Sequence, residues 1–276
     1  MVDRPGRRTP GRLPGIDHRL RSRRITRWDC IERFEGGELN ANLWIPEYLP
    51  HWTTPERSRA RYRITSAGLE LRIDADQPGW RTADGEFRTS HVQTAAFAGP
   101  EGSRFGQHRI GFDLTVRTPG SPLSLWTPDA GSVEVGASAN SDPTCMLGVW
   151  LVGHEQTDPD DPGKICIAEV FGNSVATNAA AVRVGIKAHH DPRLTTDVLD
   201  VSVPIDATRP HTYGAEWGAT GCAITVDGTE IYRTCQVLAH PLQLILHIWE
   251  FPEGPRLAGT YPLSATIHEV CLRADA

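Results

Sequence analysis

Gly163-Lys164-Ile165-Cys166-Ile167-Ala168-Glu169-Val170-Phe171-Gly172 is the stretch on which the fold turns. Side chains alternate across a strand, so Lys164 and Cys166 project from one face. An unbroken pleat would send Glu169 to the opposite face. One extra residue in a β-bulge brings Glu169 round to Lys164, and bulges are common beside active sites. Before it stand an acidic loop and the segment Cys145-Met146-Leu147-Gly148-Val149-Trp150-Leu151-Val152-Gly153.

Outward from there, alternating apolar and polar segments recur between turn signals. They include Leu69 to Ile73, Ile110 to Val116, Ser132 to Val135, Val182 to Ile186, Tyr213 to Trp217, Leu242 to Trp249 and Ala265 to Leu272. No amphipathic helix longer than two or three turns is evident. Many short strands without a repeat predict an all-β fold, two antiparallel sheets packed as a jelly-roll sandwich. Two acidic, Pro-rich loops, 155–163 and 251–260, interrupt the pattern and are expected to rim a functional surface. No second domain is apparent beside residues 28–276.

The chain has 276 residues, enough for a substantial core, and its 26 Gly and 21 Pro argue for turns over a helical bundle. No run approaches the length of a membrane helix. The net charge of −6 is segregated: residues 1–27 carry nine Arg against Asp3 and Asp17, leaving about −13 in the remainder. This arm reads as a flexible, solvated extension, and the acidic body has no nucleic-acid footprint. It lacks the apolar core of a secretory signal, so the sequence as written is expected in the cytoplasm. Oligomeric state is not readable.

The six cysteines form no C-x-x-C pair. Cys222 and Cys235 flank a hairpin whose Asp227-Gly228 turn sets Val226 opposite Thr229 and hence Cys222 opposite Arg233. Cys235 is then a diagonal neighbour, too far for an unstrained disulfide, and free thiols are expected.

The Trp-bearing segment, the acidic loop and the Lys164–Glu169 stretch together resemble the active-site strand of glycoside hydrolase family 16. These laminarinase- and lichenase-type β-glucanases have a concanavalin A-like jelly roll. Phe34-Glu35-Gly36-Gly37-Glu38-Leu39-Asn40 to Trp44 is similar to the family's N-terminal strand. His211-Thr212-Tyr213-Gly214-Ala215-Glu216-Trp217 with Ile224-Thr225-Val226-Asp227-Gly228 resembles its hairpin. The likeness runs from about residue 30 to the C-terminus.

In that family the strand carries Glu-Ile-Asp-x-x-Glu: nucleophile, tuning Asp, acid/base. Here the resemblance places Lys164 at the nucleophile, Cys166 at the Asp and Glu169 at the acid/base position. A lysine cannot form the usual glycosyl ester, so the retaining mechanism should fail. A protonated lysine would also lower the pKa of Glu169 and weaken it as an acid. Lys164 is one of two lysines among 26 arginines, the other being Lys187, which favours a retained lysine over drift.

Trp150 is the candidate sugar-stacking aromatic that the family places near the motif. Trp52, Trp80, Trp126 and Trp249 are candidates for further stacking surface or for core. Of His189-His190, alternation directs one toward the cleft, and His189 is favoured as a catalytic partner. Neighbouring histidines on a strand point opposite ways, so no metal site is expected. His247 ends a strand lining the cleft, and Glu250 is an additional carboxylate that could replace the lost one. His51 with Trp52, and Arg104 with Gln107, sit in candidate rim loops suited to a polar ligand. No phosphate loop, nucleophile elbow or EF-hand occurs, and no organic cofactor is implied.

Three functions follow. The first is a repurposed intracellular enzyme doing cofactor-free acid/base chemistry (elimination, isomerisation, cyclisation or non-standard hydrolysis) on a small polyoxygenated molecule. Glu169 would act there with Lys164, His189 or Glu250. The second is a glycoside hydrolase that recruits another carboxylate. The third is a non-catalytic glycan-binding protein.

Overall fold

The computed structural model describes residues 27–81, 83, 87–109, 113–156, 158, 161–251 and 261–275. The basic arm before Arg27 and positions 252–260 of the second acidic loop lie outside the described residues.

Two antiparallel sheets face each other. The six-stranded sheet runs, in spatial order, Asp197–Val203, Ala179–Lys187, Lys164–Ala176, Cys145–Gly153, Leu242–Glu250 and Arg88–Gln93. The second runs Thr229–Thr234, Gly221–Val226, His211–Gly218, Gly131–Ser138, Leu263–Ala274, Gly68–Ile73 and Arg61–Thr65, with Cys30–Glu32 paired to Leu263–Ala274. Among the described residues the helical elements include the single turn Pro55–Ser58 and a 3-10 turn at Pro50–Trp52.

Alternation explains the core. Leu147, Val149 and Leu151 with Leu244, Leu246 and Ile248 point inward from the six-stranded sheet. They meet Leu69, Leu71, Val133, Val135 and Ile267 of the other sheet. Each such buried aliphatic side chain contributes about 1.5–3 kcal/mol. The intervening Met146, Trp150, Val152, Ile245 and Trp249 point outward, where Tyr48, Leu49, Trp52, Trp80 and Phe87 cover them in a second cluster. Both faces of these strands are therefore buried along their whole length, which is why they read as nearly continuous apolar runs.

Three local expectations need correction. The segment from Ile110 forms no strand over its described part. Leu114 and Val116 are buried in the outer cluster instead, and Val116 exchanges backbone hydrogen bonds with Gly102 and Ser103 across a loop. Phe34 to Trp44 is turn and loop, closed by stacking of the Phe34 and Trp44 rings at 6.2 Å. In the hairpin, Asp227 and Gly228 take φ of 49° and 72°, as a type I′ turn requires, and Val226 does oppose Thr229. An irregularity between Ile224 and Thr225 then shifts the ladder, so Cys222 faces Thr234 rather than Arg233. All six cysteines are free.

Candidate active site

The bulge falls inside the motif. Val149 pairs with Ala168 and Trp150 with Cys166, leaving Ile167 as the extra residue. Ile165, Ile167 and Ala168 face the core, whereas Lys164, Cys166 and Glu169 share the outer face. The neighbouring strand contributes Lys187, which pairs with Lys164 in register.

Both ammoniums converge on one carboxylate oxygen. Lys164 Nζ lies 3.3 Å and Lys187 Nζ 2.8 Å from Glu169 Oε1. Lys164 also stands 3.3 Å from the centroid of the Trp150 ring, a cation–π contact. Glu169 is fully buried, and Lys164 is 3% exposed. Burial alone would raise the Glu169 pKa, but the charges on Lys164 and Lys187 overcome it and hold the group at about 2. Burial lowers Lys164 to about 8, with Glu169 opposing the shift and Lys187 adding to it. Cys166, between them in sequence, is pushed upward by burial and by Glu169, and its thiol donates to the Arg183 carbonyl at 3.3 Å. It is a neutral thiol, not a third charge.

An aromatic floor extends from the ion cluster. The Trp150 ring meets His247 at 3.9 Å, and Trp249 stacks on Phe87 at 4.4 Å. His247 lies parallel to His91 at 5.9 Å. Burial lowers His91 to about 3 and carries His247 well below the usual range, helped there by His91, Lys164 and Lys187, so both rings are neutral. Gly148 is required beneath this layer: a Cβ there would lie 1.9 Å from His247 Nε2. Among the described residues, neither nitrogen of His247, nor the Trp150 and Trp249 indole nitrogens, nor Glu169 Oε2 has a hydrogen-bond partner.

The rim is built by the loop around Gln107. His51 Nε2 and Trp52 Nε1 both bond its backbone carbonyl, at 2.8 and 2.9 Å. His51 and Trp52 are thus buried supports of the loop rather than free ligand contacts. The Gln107 side-chain amide is buried with neither end paired among the described residues, while Arg104 lies exposed on the rim. The next residue, His108, donates its backbone N–H to Glu155 and packs against His189, with ring centroids 5.8 Å apart.

His189 reaches the rim by a different route from alternation. The strand ends at Lys187, and His189 lies in a turn at φ 51°. Partial burial, then Lys164, His108 and Lys187, lower its pKa. Beyond it, Arg193 spans Asp161 and Asp191, bonding Asp191 Oδ2 at 2.7 Å, with His240 packed against them. Atoms of these two acids and His240 lie within 4.8 Å of one another, but the guanidinium already engages both carboxylates.

Two expected site residues lie elsewhere. Glu250 follows Trp249 and therefore points to the opposite face, where it accepts from Tyr261 at 2.6 Å and pairs with Arg88 at 3.3 Å. It cannot replace a carboxylate beside Glu169. Trp126 packs against the inter-sheet core and Trp217, with ring centroids 6.0 Å apart, away from the floor. Conversely, Lys187 enters the sequence analysis only as a count, and His91 does not enter it at all. The signal for Lys187 was its even spacing from Arg183, one residue past the recognised segment, and its rarity.

No protein-family model matches the sequence, and no curated protein does. Solved structures do. A GlcNAcα1-4Gal-releasing endo-β-galactosidase from Clostridium perfringens superposes with a TM-score of 0.76 at 21% identity, over 89% of this chain and 62% of that one. This chain therefore spans less than two thirds of that enzyme. The laminarinase catalytic domain of Thermotoga maritima gives 0.63 at 15% identity, over 91% and 98%. An endo-β-1,3(4)-glucanase of glycoside hydrolase family 16 gives 0.61 at 16% identity, over 89% and 93%. At these identities the likeness establishes the fold alone. The chain has the all-β jelly-roll sandwich of the family 16 glucanases.

Proposed function

We propose that this protein is an acid/base enzyme on a family 16-type sandwich, acting without a carboxylate nucleophile on a polyoxygenated molecule. Lys164 is the proton carrier and Glu169 its permanently ionised counter-charge. The observation that carries this reading is the convergence of Lys164 and Lys187 on a single buried oxygen of Glu169.

The assignment reverses the roles read from the sequence. A carboxyl held at about 2 is ionised at neutral pH and has no proton to give. An ammonium brought to about 8 is mostly protonated there yet able to release its proton. Such a pair suits proton transfer at carbon, as in elimination or isomerisation, better than retaining glycoside cleavage. Retention needs two carboxyls about 5–5.5 Å apart, and the candidate second carboxyl, Glu250, faces the other way. The unpaired indole and imidazole nitrogens of the floor suit hydroxyl-rich ligands, because buried polar atoms need partners. Cofactors do not enter the proposal.

The experiment is a proton-NMR time course in D2O with a panel of neutral glycans, uronates and free sugars. Deuterium entering at carbon, or an unsaturated product, with loss in Lys164→Met, is the expected result. Reducing ends released from laminarin equally by wild type and Lys164→Met would overturn it in favour of a hydrolase using other groups. Tight glycan binding unchanged by Lys164→Met, with no turnover, would instead establish a glycan-binding protein.

A further inference from the structure

The outer-face ion cluster is unbalanced. Two ammoniums meet one carboxylate, and the side chains of Lys164, Lys187 and Glu169 are 4%, 18% and 0% exposed. Every other buried acid described around the site has its own match. Glu155 accepts from the backbone N–H of His108, with that ring's Nδ1 3.5 Å away, Asp161 and Asp191 share Arg193, and Glu250 has Arg88 and Tyr261. Arg183, on the same strand as Lys187, is engaged by both oxygens of Asp200. His91 and His247 are neutral and add no charge. Each ammonium has three N–H donors, and one from each goes to Glu169 Oε1. Lys164 spends a further direction on the Trp150 ring. Lys187 makes no second bond among the described residues. A charge held out of water with unfilled donors is costly, and an acceptor-rich anion relieves both deficits.

We propose that Lys187, with Lys164 beside it, binds a carboxylate or sulfate carried on the polyhydroxylated ligand, so that the site takes an acidic saccharide rather than a neutral one. The proposal rests on reading this face as the ligand site, and it divides the labour. The more exposed Lys187 seats the anion, and the buried Lys164, on its Trp150 platform, is left to handle the proton. The molecule's overall charge of −6 opposes anions at long range, so selection must come from these contacts and not from steering.

The test is a ligand-observed NMR titration of the full chain at fixed ionic strength, using D-glucuronate, D-glucose 6-sulfate and D-glucose. One charge-assisted contact predicts that at least one of the two acids binds about tenfold to a hundredfold tighter than glucose. Lys187→Met should erase that preference, and Lys187→Arg, which keeps the charge, should restore most of it. Circular dichroism and melting of both variants establish that they fold. Equal affinity for all three sugars overturns the proposal while leaving the acid/base reading to its deuterium-exchange test. A preference that survives in folded Lys187→Met places the anion elsewhere and also overturns it. Binding of inorganic sulfate as tightly as the sugar sulfate removes the saccharide from the proposal. Binding of none of the three overturns it together with the ligand-site reading.

Discussion

Lys164 and Lys187 face each other across paired strands and end on the same atom, Oε1 of Glu169, at 3.3 and 2.8 Å. These are the only two lysines in the chain. At Lys164 a compact, titratable ammonium can carry a proton, which a planar, permanently charged guanidinium cannot.

Glu169→Gln should be strongly destabilising. It leaves two buried ammoniums without a counter-charge, a loss of about 3–5 kcal/mol. Urea unfolding at pH 7 measures it. A change below about 1 kcal/mol would mean that the cluster is not held as described.

The pH dependence of stability has a defined sign. Glu169 falls from 4.5 to about 2 on folding and Lys164 from 10.5 to about 8. In each window the unfolded chain binds the extra proton, so stability rises with pH across both. The Glu169 contribution is lost as pH falls from about 4.5 toward 2. The Lys164 contribution is gained between about 8 and 10.5, with Glu169, Lys187 and Cys166 as the ionisable groups facing it. The difference in unfolding free energy between wild type and Lys164→Met should shift toward wild type from pH 8 to 10. A constant difference contradicts the assignment.

Glu250→Gln separates core from site. Its carboxylate binds Arg88 and Tyr261 on the inward face, so the substitution should lower stability by about 1–3 kcal/mol and leave ligand affinity unchanged. Chemical denaturation and the sugar titrations measure the two effects. Lost affinity with unaltered stability would put Glu250 back in the site.

Gly148→Ala tests the floor. The added methyl would collide with His247, whose ring must then leave Trp150. Overpacking of this kind costs about 1–3 kcal/mol. Calorimetric melting together with the His247 ring resonances reads it, and an unperturbed imidazole would show that the layer has slack.

The sandwich was legible because its strands announce themselves by periodicity. The bulge was legible only through the family resemblance, which asks Lys164 and Glu169 to share a face that an unbroken pleat denies them. What failed was parity and partnership. Glu250 stands one residue past Trp249, and counting the pleat from Trp249 puts it inside. Lys187 stands one residue past the recognised Val182 to Ile186 segment, and its alignment with Lys164 is a property of pairing between strands, which no local pattern carries. His189 reached the rim through a left-handed turn that alternation cannot foresee. Trp126 looked like cleft lining because an aromatic beside loops reads the same whether it faces ligand or core.

The most direct test is a carbon-13 NMR titration of protein labelled at the lysine ε-carbon. Only two resonances exist, and Lys187→Arg assigns them. The Lys164 signal should titrate with a midpoint near 8 and shift upward in anion-bound protein, because added negative charge favours the ammonium. A Lys164 signal that stays protonated to pH 10 or above, as in a solvated side chain, contradicts its role as the proton carrier.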